Sequence, residues 1–415
     1  MEQYVIVGNG VAAAGCIEGI RTVDKHTPIT VISGEKYPVY CRPLISYYLQ
    51  GKTNLERMYY RSESFYNDNG CQVIYGETAN QIDQKEHTVT LASGQKIPFS
   101  KLLVASGSSP FVPRFDGIET VKNRFSFMTL DDTFSLEQAI CSTSRVLIIG
   151  AGLIGLKCAE GLQGRVGKIT VCDLADNILS SILDADTAPA VQDHLEQNGI
   201  EFLMGDSVKS FTQDIAEMQS GRQIPFDILV MAVGVRPNTA LVADIGGEIN
   251  RGIMVNTKMQ TSIPDIYAAG DCSEGYDLSV GKNRVLALLP NAYMGGFTAG
   301  VNMAGGNKEF DNAIPMNSIG LMGLHIMTAG NYVTEKDGGQ VLCDQSKNGT
   351  RKFFVQDDAL KGYILVGDVL GGGIYTALIR EMTPMHTLDF ESLQKDPNYF
   401  AFSAETRRKK FGGVV

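Results

Sequence analysis

Glycines, carboxylates, one cation and one thiol stand in this 415-residue sequence at spacings where they can do chemistry. The glycines come in two runs, Gly8-Asn9-Gly10-Val11-Ala12-Ala13 and Gly150-Ala151-Gly152-Leu153-Ile154-Gly155. In each, the first glycine suits a tight turn, the second lets backbone approach a pyrophosphate, and the last small residue allows close helix packing. About twenty residues after each run comes a carboxylate, Glu35 and then Asp173, where an acidic side chain can bind a ribose diol. Glu35 taken alone reads equally well as a solvated loop carboxylate; the complete fingerprint around it favours the ribose. Asp271 directly follows Gly270 at the end of an apolar run, which puts a third carboxylate close to backbone. Lys157 interrupts the longest apolar stretch, Val146 to Leu156, and Cys41 stands beside Arg42-Pro43.

Strands and helices must hold these residues in place. Tyr4 to Val7 reads as a buried strand, residues to about Arg21 as a small-residue helix, and Ile29 to Ile32 as the next strand, giving a βαβ unit. Val146 to Ile149, the helix after Gly152, and Ile169 to Cys172 repeat it. In both units the helix N-terminus offers free N–H groups and a positive dipole end to phosphates. About 140 residues precede the second unit, roughly one domain's worth. Cys71 to Tyr75 and His87 to Leu91 read as short strands between the units, and Ser93-Gly94 as a turn. Lys101 to Gly107 and Phe226 to Gly234 are buried strands ending in small residues, and each ending by itself is a weak signal. Two different dinucleotides explain two such units better than two copies of one ligand.

Composition sets bounds. With 36 Lys and Arg against 46 Asp and Glu, the net charge of −10 argues against a general nucleic-acid binder, which needs a basic face. The opening MEQYVIVGNG lacks the pattern of a secretory signal, and no apolar run reaches the ~20 residues of a membrane span. Eight cysteines without a CxxC spacing suggest reduced thiols and a cytoplasmic location. Five histidines (His26, His87, His194, His325, His386) show no metal spacing, so no metal site is expected.

Two fingerprints, Ala105-Ser106-Gly107 after the first, Ala232-Val233-Gly234-Val235-Arg236-Pro237-Asn238 after the second, and Ile266-Tyr267-Ala268-Ala269-Gly270-Asp271-Cys272 beyond both occur in one order. In this the chain resembles the FAD-dependent pyridine nucleotide oxidoreductases over roughly residues 1–310. The resemblance implies an α/β fold with two Rossmann-like dinucleotide-binding domains, the NAD domain inserted into the FAD domain, plus a small C-terminal α/β domain. The expected division is 1–117 and 245–312 for FAD, 118–244 for NAD(H), and 313–415 for the C-terminal interface domain and tail. It further implies FAD contacts from Gly8, Gly10, Ala13, Glu35, Ala79 through its backbone, Ser106, Gly107, Asp271 on the ribityl chain, and the helix N-terminus at Asn291 and Ala292. For NAD(H) it implies Gly150, Gly152, Leu153, Ile154, Gly155, Asp173 and Gly234. Asp173, with no arginine in the Leu174-Ala175-Asp176-Asn177 that follows, favours NADH over NADPH.

The segment Tyr40 to Lys52 resembles the branch holding NADH:rubredoxin and ferredoxin reductases and the flavin domains of nitrite reductases. That branch carries an Arg-Pro pair here, so Arg42 is expected beside the FAD phosphates or ring; the plain alternative is a surface arginine. Relatives that use one flavin-proximal cysteine place it at the position of Pro43, two from Cys41, so Cys41 is read as non-catalytic. No CxxxxC pair and no catalytic C-terminal histidine are present. Lys157 stands where many relatives have Glu near the nicotinamide, and reads either as a catalytic cation or as a lysine reaching solvent. Met316 to Ile319, Lys352 to Val355 and Lys361 to Val366 look like strands, and Ile374 to Met382 like a helix. The run Arg407-Arg408-Lys409-Lys410 beside Phe411 is either a solvated tail or a dock for an acidic partner. The expected activity is NADH:acceptor oxidoreduction towards an iron–sulfur carrier such as rubredoxin or ferredoxin. The alternatives are the FAD/NAD(H) subunit of a larger iron–sulfur or molybdenum/tungsten enzyme, possibly reducing NAD⁺, cysteine-based NADH oxidase or peroxidase chemistry, and a redox-responsive binding module. A homodimer or larger complex fits any of these.

Overall fold

The computed structural model describes residues 3–346 and 349–411, so Met1 and Glu2 of the opening stretch lie outside it. Continuous apolar runs such as Tyr4–Val7 and Arg145–Ile149 become strands buried on both faces, which is what an all-parallel sheet requires. Five parallel strands line up in the order Cys71–Tyr75, Ile29–Ser33, Tyr4–Val7, Lys101–Val104, Ile266–Ala268. A second sheet repeats the plan as Ile200–Met204, Lys168–Asp173, Arg145–Ile149, Ile228–Met231, Arg124–Phe125. Each central strand pairs in register with the strand after its helix, Tyr4 with Ile29 and Arg145 with Lys168. A three-stranded antiparallel meander also precedes one strand of each sheet: Ala79–Asp83, Thr88–Leu91 and Lys96–Pro98 come before Lys101–Val104, and Val208–Thr212, Ile215–Met218 and Gln223–Pro225 before Ile228–Met231. The two halves are architectural repeats, a relation that the two glycine runs already suggest.

The chain crosses between the sheets twice, and Ser108–Pro110 and Val235–Pro237 pair antiparallel at that crossing. Under the first sheet, helix Val11–Val23 packs on helix Leu289–Met303 with almost no side chain between them. A Cβ on Gly296 would lie 2.0 Å from the carbonyl oxygen of Ala12, so only glycine permits this approach. The small residues that suggest close packing in the sequence therefore serve a partner nearly three hundred residues away.

Contacts group the chain into two units, 1–181 with 195–276 and 282–311, and 182–194 with 277–281 and 312–415. Both parallel sheets fall in the first. The second holds an antiparallel sheet in the order Met316–Leu321, Leu324–Gly330, Ala359–Gly367, Gly349–Gln356, Gln340–Ser346, with helix Gly372–Arg380 on its buried face. Three of these strands appear in the sequence reading, though shorter, and the helix appears two residues further on, at Ile374 to Met382; Leu324–Gly330 and Gln340–Ser346 do not appear. The inner strand Leu324–Gly330 is broken by His325 and Thr328, and the edge strand reads QVLCDQS, so neither carries a clean alternating pattern. Within this unit Lys352, almost fully buried, is held by Asp184 at 2.7 Å and Asp186 at 3.0 Å. The basic run falls on helix Ala404–Phe411, and the side chains of residues 409–411 lie outside the described ones.

Among the described residues no helix is long and apolar enough to cross a membrane, and no group of three or more His, Cys, Asp or Glu is arranged to hold a metal ion.

Candidate functional site

Both glycine turns fold alike and divide their glycines the same way. Gly8 (φ +105°) and Gly150 (φ +111°) sit in the left-handed region, and a Cβ on either would strike the carbonyl oxygen of Ala105 or Ala232. Gly155 presses on the carbonyl oxygen of Gly150. Gly10 and Gly152 differ: a Cβ on either would meet nothing within 4 Å. The fold does not need glycine at those two positions, but a ligand approaching the backbone does. Gly10 and Gly152 are also the N-caps of their helices, and neither helix has a side-chain cap. Their first N–H groups are thus left for an anion, and the dipole end favours one. Two open cradles in front of two uncapped helix ends fit two pyrophosphates. Ala13 is buried in the first helix, whereas Leu153 and Ile154 are half-exposed at the start of the second.

Around the first turn, Asn9 is locked by the Tyr66 hydroxyl, which donates to Asn9 Oδ1 at 2.7 Å and accepts from the Val39 N–H at 3.0 Å. Glu35 lies at the end of Ile29–Ser33 and is not a free loop carboxylate. Its Oε2 accepts from the Tyr40 hydroxyl at 2.7 Å, and its Oε1 pairs with the Arg42 guanidinium. Arg42 also donates to the Met128 carbonyl at 3.0 Å, tying this segment to the chain entering the second sheet. Arg42 is therefore more than an ordinary surface arginine. Ala79 begins a meander strand, and the Glu77 N–H donates to the Ser33 carbonyl at 3.0 Å, so that segment runs beside Glu35.

Ser106 and Gly107 close the fourth strand of the first sheet. Ser106 Oγ donates to the Asn238 carbonyl, Asn238 Nδ2 to the Ser106 carbonyl, and the Asn238 N–H to the Gly107 carbonyl, all within 3.0 Å. Asn238 thus fastens the two crossing strands. Ser108 Oγ donates to Asp271 Oδ2 at 3.1 Å. Half-burial pushes the Asp271 carboxyl up, opposed by that hydroxyl and by the cation of Arg42. Arg42, Asp271 and Ser108 are thus coupled although the sequence separates them widely. Asn291 and Ala292 are buried in the first turn of Leu289–Met303, another helix without a side-chain cap.

At the second turn, both oxygens of Asp173 accept backbone N–H groups: Ala151 at 2.7 Å and Ala175 at 2.9 Å. The carboxylate that suits a ribose also fixes the turn. Gly234 is exposed at φ +104°, its carbonyl accepting from the Phe111 N–H at 2.9 Å. Lys157 is largely withdrawn from solvent. Its side chain is 17% exposed, its ammonium pairs with Glu160, itself 6% exposed, and it stands 4.4 Å above the Tyr47 ring. Tyr47 belongs to the short helix Ile45–Leu49 just after Arg42, so Lys157 joins the two halves. Cys41 is half-buried, which pushes its thiol up and away from the reactive thiolate. Ser108 and Glu160 were missed in the sequence; Tyr40 and Tyr47 fall in the Tyr40 to Lys52 segment and Asn238 in the Ala232 to Asn238 motif, but none of the three was given a role there.

Two parallel α/β sheets, each with a glycine turn open to a phosphate, define a protein built for two dinucleotides. Residues 2–296 match the pyridine nucleotide-disulphide oxidoreductase family, and the chain belongs to that family. Its relatives include the assimilatory nitrate reductase electron transfer subunit of Bacillus subtilis, 31% identical over 88% of this chain and 48% of that one. The chain therefore spans about half of that relative. Subunit epsilon of the NADH-dependent phenylglyoxylate dehydrogenase of Aromatoleum evansii is 29% identical over 93% of both chains. The crystal structure of NADH:rubredoxin oxidoreductase from Clostridium acetobutylicum matches with a TM-score of 0.75 at 25% identity, over 95% of this chain and 99% of that one. As a member of that family this chain is an FAD- and NAD(H)-binding oxidoreductase.

Proposed function

We propose that this chain carries electrons from NADH to an iron–sulfur protein such as rubredoxin or ferredoxin. The observation that carries the proposal is the pair of open turns, Gly10 and Gly152, on two sheets joined at Asn238, and the thiol of Cys41, pushed up by burial, does not favour cysteine chemistry. Residues 1–117 and 245–312 are proposed to hold FAD, residues 118–244 NAD(H), and residues 313–415 to form the interface domain. A cytoplasmic location accords with eight cysteines that all stay as thiols.

Gly8, Gly10 and Ala13 would hold the FAD pyrophosphate against the first helix, Glu35 its ribose, Ala79 its adenine, and Ser106, Gly107 and Asp271 its ribityl chain. Bound there, FAD supplies the conversion of a two-electron donor into one-electron deliveries, chemistry that belongs to the cofactor. The helix end at Asn291 and Ala292 and the Arg42 cation set a positive field where negative charge develops. Gly150, Gly152, Leu153, Ile154, Gly155, Asp173 and Gly234 would orient NADH. Lys157, held by Glu160 and Tyr47, is proposed as a fixed charge that positions the nicotinamide end rather than as a proton donor.

A subunit role in a larger iron–sulfur or molybdenum/tungsten enzyme is the second reading, supported by the match across almost all of subunit epsilon. The test is anaerobic turnover of FAD-loaded protein with NADH and rubredoxin or ferredoxin, alongside analysis of what co-purifies. Reduction of the carrier by the isolated chain supports the first reading. A metalloprotein retained at fixed stoichiometry, with no reduction of either carrier by the isolated chain, supports the second. Protein that cannot be reconstituted with FAD overturns both.

A further inference from the structure

A cavity of about 530 Å³ opens beside Asp271, with Val235 and Pro237 from the second crossing strand on its wall. Its mouth carries Arg251, Lys282 and Arg284, all exposed. Two carboxylates line the cavity, and neither faces outward freely. Glu274 is 2% exposed and accepts from Asn250 Nδ2 at 2.9 Å, the Arg251 N–H at 2.9 Å and the Gly252 N–H at 3.0 Å. Asp271, half-buried, accepts from Ser108 Oγ at 3.1 Å. A body approaching this mouth therefore meets cations on a protein whose net charge is −10.

Lys282 and Arg284 lie on Lys282–Arg284, the edge of a three-stranded sheet, where charge also guards against strand pairing. That role does not account for Arg251, which comes from another segment and lines the same cavity, nor for Asp271 on its wall. We propose that this mouth is the docking surface for the electron acceptor, an acidic iron–sulfur protein, so that its redox centre comes close to the flavin held at Asp271. The proposal rests on the NADH:carrier reading above. Per turnover NADH gives up two electrons and one proton as hydride. Two carrier molecules each take one electron, and the proton passes to solvent. Rim charges of this kind act on encounter rate and its salt dependence more than on the chemistry.

The test uses the full-length FAD-loaded protein with an acidic rubredoxin as acceptor and menadione as an uncharged small acceptor. In Lys282→Glu/Arg284→Glu, KM for rubredoxin rises about tenfold or more, and kcat/KM loses most of its fall with ionic strength. Lys282→Gln/Arg284→Gln gives a smaller change in the same direction. Flavin content, melting temperature and NADH:menadione turnover stay at wild-type values. If rubredoxin kinetics and their salt slope match wild type in both variants, the carrier docks elsewhere and the surface proposal is wrong while the activity stands. If menadione turnover falls in parallel, these residues act on the flavin and the docking role is overturned. A wild-type protein that turns over menadione but reduces no rubredoxin overturns the activity and the surface together.

Discussion

Gly152→Ala separates a glycine required by a ligand from one required by the fold. The backbone at Gly152 is extended (φ −81°, ψ −174°), a conformation open to any residue, and nothing lies within 4 Å of the added methyl. Alanine there costs the folded chain little, and a narrower unfolded ensemble contributes about 0.4–1 kcal/mol in its favour. Gly150→Ala is the contrast. Its φ of +111° and the Ala232 carbonyl oxygen 2.3 Å from the new Cβ combine left-handed strain with overpacking. Together these cost about 2–5 kcal/mol. The Gly152 methyl instead fills the space in front of the uncapped helix. Losing one charge-assisted hydrogen bond from that end costs about 1.5–3 kcal/mol, roughly a 10- to 100-fold loss in NADH affinity. The assay is KM for NADH and Kd for NAD⁺, with thermal melting and flavin content measured on the same preparations. Gly152→Ala is expected to melt at or slightly above wild type, to keep its FAD and to bind NAD(H) weakly. Wild-type nucleotide affinity, or loss of FAD with NAD(H) binding intact, would refute the reasoning.

Asp173→Ala removes a ribose ligand and the acceptor for the Ala151 and Ala175 N–H groups, so NADH affinity falls much more than FAD retention; the reverse pattern in a flavin-content and KM comparison means the two sites are exchanged. Lys157→Met leaves Glu160 buried without this cation and costs about 3 kcal/mol, read by denaturant unfolding, while Lys157→Met/Glu160→Leu recovers most of that stability. An additive double variant would mean that the pair is not coupled. Cys141 is exposed, and hydroxyl hydrogen bonds from Ser144 and Thr143 hold its thiol down to about 7. Its thiolate fraction grows as pH rises through 7, so iodoacetamide labels it first with a half-maximal rate near that pH, as peptide mapping will show, while the Cys41 thiol, pushed up by burial, lags. Cys41→Ser is correspondingly expected to retain NADH-driven turnover, and its loss with FAD still bound would point to cysteine chemistry.

The sequence by itself determined the two glycine turns, the strands feeding them and the ends of the helices behind them. Those features are local: φ at Gly8 and Gly150, the missing caps at Gly10 and Gly152, and the buried apolar runs follow from residues within one turn of each other. Asp271 and Glu35 were legible for a related reason, since a strand end fixes where its next side chain goes. Only the tertiary structure decided what those side chains meet. Ser108 reaches Asp271 across 163 positions and Asn238 reaches Ser106 across 132, separations at which no periodicity or spacing specifies a partner. Lys157 makes the same point. The sequence leaves it either a catalytic cation or a lysine reaching water; Glu160 stands three positions on in its own helix, but only the fold brings Tyr47, from the short helix after Arg42, against its ammonium. The cationic mouth of Arg251, Lys282 and Arg284 is likewise invisible in a chain with a net charge of −10, because charge adds along a sequence but acts through distance.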